Sequence, residues 1–217
     1  LLATNSPREM RVRFVDPKAG ADYLWLRGMP HLDGGIVTDQ TAAIETLKEL
    51  VDEMDRRYAE ITKIASNIDK YNEKVEPAAR LPRICLFHDE IGDWMADKDH
   101  AEYRDAVGSY VVRLASKARA AGVHLFLITQ RPDKDALPSQ IKANMNNKIC
   151  LKVSSAINSR IVLDEGGAEQ LLGNGHFAAK LSNEIPDGQS SLIIGQAPFI
   201  DEDDAWVLAD AIKDHWK

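Results

Sequence analysis

No apolar run in this 217-residue chain approaches the roughly 18–20 residues that a membrane-spanning helix needs. The opening LLATNSPREM has neither the basic flank nor the long apolar core of a signal peptide, so the cytoplasm is the expected compartment. Cysteine is scarce. Cys85 and Cys150 each lie inside an apolar, strand-like run, which points to two buried thiols and excludes a disulfide framework. The six histidines show no metal-ligand spacing, and no Ser/His/Asp or Cys/His arrangement stands out. Also missing is any Gly-x-x-x-x-Gly-Lys-Ser/Thr, so nothing in these residues can wrap the β- and γ-phosphates of a nucleotide in backbone N–H groups. Internal repeats and low-complexity tracts are absent too.

What is present suffices for one sizeable core. At 44% hydrophobic, the chain reads as a single domain, or one domain with a small appendage. The formal charge of −7 excludes a protein that coats nucleic acid over its whole surface, but the charge is unevenly spread. Residues 104–160 hold ten Lys or Arg against three acids, while the remainder holds 17 basic and 31 acidic residues. A basic middle in an acidic shell suits contact with a polyanion on one surface, and it equally suits lopsided helix faces.

Periodicity gives an α/β order. Arg11–Val15 is a short β-like run ending at Asp16-Pro17, followed by a loop-rich stretch punctuated by Pro30, Gly34 and Gly35. From Thr41, the residues Ile44, Leu47, Leu50, Val51, Met54, Tyr58 and Ile61 recur at helical steps, with Thr38 or Asp39 as N-cap. Ser66–Arg80 reads as a fraying end and linker. Ile84–Phe87 is a continuous apolar run of the kind that forms a central parallel strand, and it stops at His88-Asp89-Glu90. A helix around Tyr103–Ala121 ends at Gly122 and leads into a second apolar run, Val123–Ile128, a spacing that requires parallel pairing. Strand-like runs at Lys148–Val153 and Ser191–Gly195 flank short helical pieces. His176–Lys180, the turn Pro186-Asp187-Gly188 and Leu192–Ile194 read as an edge hairpin, and Asp201–Asp204 precede a last amphipathic helix.

An apolar strand that ends in Asp-Glu puts two carboxylates at the carboxyl edge of a parallel sheet, where open α/β folds bind ligands. In a P-loop NTPase, Asp89 would hold Mg²⁺ through its water shell and Glu90 would orient and polarise the attacking water. The plainer reading is an acid pair that caps the next helix. The second strand ends in Thr129-Gln130-Arg131-Pro132, which sets Gln130 beside those carboxylates. An amide there can both donate and accept, and so can report whether a γ-phosphate is present.

With these residues assembled, the chain resembles the FtsK/SpoIIIE DNA translocases. The matching stretches are Val15–Lys18, Gly28–Leu32, Val37–Asp39, Glu53–Tyr58 and Tyr71–Lys74, then Asp89-Glu90, Lys117–Leu125, Thr129–Pro132, Ile141–Asn144, Val153–Ser155, Ser159-Arg160 and Gly167–Gly173. They run in the family's order over nearly the whole chain. The resemblance implies a RecA-like three-layer sandwich with a mostly parallel central sheet and an edge hairpin near its end. It further implies ATP and Mg²⁺ as cofactors, double-stranded DNA as substrate and a hexameric ring. It assigns Arg119 to a neighbouring subunit's ATP and Arg160 to the same subunit interface. Arg131 and Lys142, with Lys134 and Lys148, are the candidates for phosphate contacts in the bore. The missing phosphate loop implies a domain incomplete on its amino-terminal side or, alternatively, a degenerate motor, and in either case a chain that binds ATP poorly alone. Ala156 stands where the family usually carries a basic residue, and the loop between Lys74 and Leu81 is short. A non-hydrolysing scaffold and a relative that engages protein instead of DNA are the competing functions.

Overall fold

The fold is taken from a computed structural model, which describes residues 1–96, 101–130, 138–181 and 192–217. The chain forms two compact units, Leu1–Gln130 with Glu202–Lys217, and Arg131–Asp201.

The first unit is built on four parallel strands: β1 (Met10–Val15), β2 (Leu32–Val37), β3 (Arg83–His88) and β4 (Val123–Leu127), in the order β2-β1-β3-β4. The two apolar runs read from the sequence are therefore neighbours, with β3 central and β4 at the edge. Side chains alternate across the sheet. Met10, Val12, Phe14 and Cys85 are buried on one face with Leu26 of a 3-10 turn, Ala21–Leu26. Val15, Ile84 and Leu86, on the other face, are buried as well.

Helix α1 (Gln40–Ile61) starts where Asp39 accepts a hydrogen bond from the Ala42 N–H at 2.9 Å, the cap the sequence offers. Its Leu47, Leu50, Val51, Met54 and Ile61 are buried as the period requires, but Tyr58 is only half-buried and Arg57 takes the interior place. Arg57 can do so because its guanidinium is satisfied by Glu53 at 2.7 Å and by the carbonyls of Pro82 and Ala121 at 2.7 and 3.0 Å. Helix α4 (Ala101–Lys117) buries Tyr103, Val107, Val111 and Leu114, then tightens into a 3-10 turn, Ala118–Ala121, that ends on left-handed Gly122 at φ 75°. Strand β2 and helix α2 (Ile68–Lys74) are among the elements the sequence does not announce. Gly34 and Gly35 hide β2, and the supposed linker contains α2, capped by Asn67 and anchored by Ile68 and Tyr71. Helix α3 (Ile91–Ala96) follows β3, and the last helix, α7 (Glu202–His215), buries Ala209 and Ile212 with Met29.

The second unit holds helices α5 (Ser139–Asn144) and α6 (Ala156–Leu163), and strands β5 (Lys148–Leu151), β6 (His176–Lys180) and β7 (Leu192–Gln196). Strands β6 and β7 form the expected antiparallel hairpin, but it pairs with β5 in a three-stranded sheet of its own. Cys150, Leu163, Ala168, Leu171 and Ala178 form its core. Pro186-Asp187-Gly188 lies outside the described residues.

Candidate nucleotide site

The carboxyl ends of β1, β3 and β4 converge. The Asp89 N–H donates to the Val15 carbonyl at 2.9 Å and the Ile91 N–H to the Ile128 carbonyl at 3.0 Å, so the residues leaving β3 are clamped from both sides. Glu90 sits between these clamps with φ 38°, a left-handed backbone that a glutamate adopts only when its surroundings enforce it. It is 3% exposed. One Glu90 carboxylate oxygen accepts from the Thr129 hydroxyl at 3.1 Å, and both accept from the Gln130 N–H, at 3.1 and 3.3 Å. Gln130 thus reaches Glu90 through its backbone, while its side chain is exposed. Thr129, which the sequence reading passes over, supplies the hydroxyl.

Asp89 is held differently. Its Oδ2 accepts from the Tyr23 hydroxyl at 2.8 Å and its Oδ1 from the Glu90 N–H at 3.0 Å. Burial, followed by the hydrogen bond to Asp89, keeps the Tyr23 phenol protonated well above its usual range, which fixes it as the donor. Asp16 delivers Tyr23. Its buried carboxylate accepts from the Lys18 N–H at 2.9 Å and the Gly20 N–H at 2.8 Å, closing the turn that brings the chain back over β1.

Beneath the pair, His88 is fully buried. Its Nδ1 faces the Asp89 carbonyl at 3.1 Å, an acceptor only, so Nδ1 carries the proton and Nε2 accepts from the Tyr103 hydroxyl. Burial lowers the His88 pKa to about 4, so the ring is neutral at pH 7. Trp94 stands edge-on to both rings, at 6.1 and 5.2 Å between centroids.

Of the five sequence candidates for catalysis, Asp89, Glu90 and Gln130 come together. Arg119 does not join them. It is exposed on the turn entering β4, beside the Gly122 carbonyl that accepts from the Ile84 N–H at the start of β3. The length of β3, roughly 20 Å at the usual rise per residue, separates it from its own Glu90. Arg160 is exposed near the end of α6, in the second unit. In that unit Lys142 and Lys148 converge on one carboxylate, Asp164, at 2.7 and 2.5 Å. These two bonds hold Asp164 down to a pKa of about 2. Arg131 and Lys134 lie outside the described residues.

Residues 1–134 match the FtsK/SpoIIIE family. The chain belongs to that family. It is 38% identical to the DNA translocase FtsK of Campylobacter jejuni over 99% of its own length and 22% of that protein. With SpoIIIE of Bacillus subtilis, also a DNA translocase, it shares 34% identity over 98% of the chain and 27% of the relative. It thus spans about a quarter of these FtsK/SpoIIIE proteins. Among solved structures, the pCW3 conjugation coupling protein TcpA, a monomer with ATPγS, superposes with a TM-score of 0.84 at 28% identity, over all of this chain and 58% of that one. The fold is the RecA-like one of FtsK/SpoIIIE ATPases, with a parallel sheet and a separate antiparallel hairpin sheet.

The Asp89 site suits the metal of such ATPases. A carboxylate offers about four acceptor positions and Asp89 has used two, leaving room for water molecules of a hydrated Mg²⁺. Among the described residues no group of three or more His, Cys, Asp or Glu gathers that could hold a metal ion.

Proposed function

We propose that this chain forms part of an ATP-driven motor that moves double-stranded DNA. The observation that carries the reading is the Asp89-Glu90 pair at the carboxyl end of a central parallel strand, with Glu90 buried against Thr129 and Gln130, in a member of the FtsK/SpoIIIE family. Glu90 orients and polarises the attacking water. Thr129 and Gln130 fix its carboxylate to the end of β4, so any shift of that end moves the base. Asp89, steadied by Tyr23, would hold Mg²⁺ through water. When bound with ATP, the ion neutralises charge on the phosphates. No phosphate-wrapping motif occurs among these 217 residues, and without such a loop the chain alone is inactive.

Arg119 cannot serve its own Glu90 across the length of β3, which supports its action on a neighbour's ATP. Subunits that complete one another's sites in this way share a heterologous interface, which the family resemblance makes a closed ring, a hexamer, with Arg160 at the same interface. Arg131, Lys134, Lys142 and Lys148 contact DNA phosphates, which carry no sequence information and so suit a motor that runs over any sequence. We place the motor in the cytoplasm. Among the described residues no helix is long and apolar enough to cross a membrane.

The test is the steady-state ATPase rate of the complete protein with and without long duplex DNA. Duplex stimulates the wild type, and Glu90→Gln lowers the stimulated rate by about 10²-fold or more. A wild type that binds duplex without hydrolysing ATP overturns the motor reading and leaves the scaffold.

A further inference from the structure

The turn that carries Arg119 is gripped from both ends by two adjacent residues of α1. The Tyr58 hydroxyl donates to the Lys117 carbonyl at 2.5 Å, where α4 gives way to the turn. The Arg57 guanidinium donates to the Ala121 carbonyl at 3.0 Å, where the turn ends, and to the Pro82 carbonyl at 2.7 Å, at the entry to β3. Arg57 is 2% exposed, and its Nε is held by Glu53 at 2.7 Å, so its fork has one orientation. Behind the turn, Gly122 lies in the left-handed region, with Ile68 of α2 packed where a Cβ would stand.

Several neighbouring arginines are paired. Arg83 pairs with Asp69, Arg113 with Asp55, and Arg56 with Glu53 and Glu60. Among the described residues Arg119 has no acidic partner, although its base is tied at both ends. Arg119 is thus an exposed cation on a backbone held at both ends.

We propose that Arg57 and Tyr58 are positioning residues that aim Arg119, and that the grip of α1 on this turn sets how well Arg119 stabilises the transferring phosphoryl group. This rests on the reading of Arg119 as acting in trans. The geometry makes the two roles separable. Neither Arg57 nor Tyr58 touches the Asp89-Glu90 edge of its own chain, so loosening either should leave ATP binding intact and slow the chemical step.

The experiment is duplex-stimulated ATP hydrolysis by the complete protein carrying Tyr58→Phe, Arg57→Lys, Arg119→Ala, and the double variant Tyr58→Phe/Arg119→Ala. Arg119→Ala is expected to lower kcat by about 10³-fold or more. Tyr58→Phe lowers kcat by roughly tenfold with KM for ATP unchanged. Its melting temperature moves by no more than about 2 °C, since the bond lost is a single exposed one. The deciding result is non-additivity: once Arg119 is gone, Tyr58→Phe costs nothing more. An equal loss in both backgrounds, or no loss from Tyr58→Phe, overturns the positioning role even with Arg119 confirmed. An Arg119→Ala protein with unchanged kcat overturns the trans reading itself, and the positioning inference with it. Tyr58→Phe keeps the test decisive should Arg57→Lys fail to fold.

Discussion

At the scale of single residues, the charge on Arg119 can be followed through a neighbour. His124 lies on β4, two residues beyond Gly122. Its pKa is lowered first by burial, then by the Arg83 charge, and then by Arg119. A histidine whose folded pKa lies below its unfolded value binds its proton more readily when unfolded. It therefore contributes stability that is complete above about pH 6.5 and is lost as pH falls through the folded value. Proton NMR titration should find His124 below 6.5, and Arg119→Ala should move it upward; an unmoved midpoint would mean that the Arg119 side chain points away from this edge. Asp89, Glu90 and Gln130 were legible in the sequence because an apolar run fixes where a strand leaves the sheet. Tyr23 was not. Its contact with Asp89 spans 66 residues and depends on a turn that Asp16 closes through two backbone amides, which no period reveals. Thr129 is not legible either, because its hydroxyl acquires meaning only when β4 pairs beside β3.

At the scale of elements, α1, β3, α4 and β4 follow from their periods and caps, whereas β2 and α2 do not. Two glycines at positive φ interrupt the alternation of β2, and α2 is too short and polar to show a stripe. The inward residue near the end of α1 departs from the period as well. Period favours Tyr58, but three polar partners for its guanidinium make Arg57 the better buried residue, and that exchange is what leaves the Tyr58 hydroxyl beside Lys117. Gly122 joins these elements: its left-handed backbone ends the turn after α4, and Ile68 of α2 occupies the space a side chain would need. Gly122→Ala should therefore cost about 2–4 kcal/mol in urea unfolding, from the backbone penalty and the overlap together. The companion change Ile68→Ala in the same protein should recover part of that loss by removing the overlap. Absence of any recovery would leave the backbone alone responsible.

At the scale of the whole molecule, the basic stretch 104–160 is not a basic face of equal strength. Arg113 spends its charge on Asp55 of α1, and Lys142 and Lys148 share Asp164, so acids outside the stretch cancel part of the excess that a count along the chain suggests. Asp164 thereby acts against any DNA contact by these two lysines, since a phosphate must compete with a carboxylate already bound to both. It also ends α6 in the left-handed region at φ 66°, a conformation that asparagine tolerates. Asp164→Asn therefore removes the charge while sparing the turn, and in the complete protein it should strengthen duplex binding and steepen its fall with salt by about one to two units in the log–log slope. Lys142→Ala should do the reverse. Fluorescence anisotropy between about 50 and 200 mM salt resolves slopes of this size. If neither variant moves the slope, Lys142 and Lys148 are cations placed at the end of α6, where the helix dipole favours them, and the DNA contacts belong to other residues.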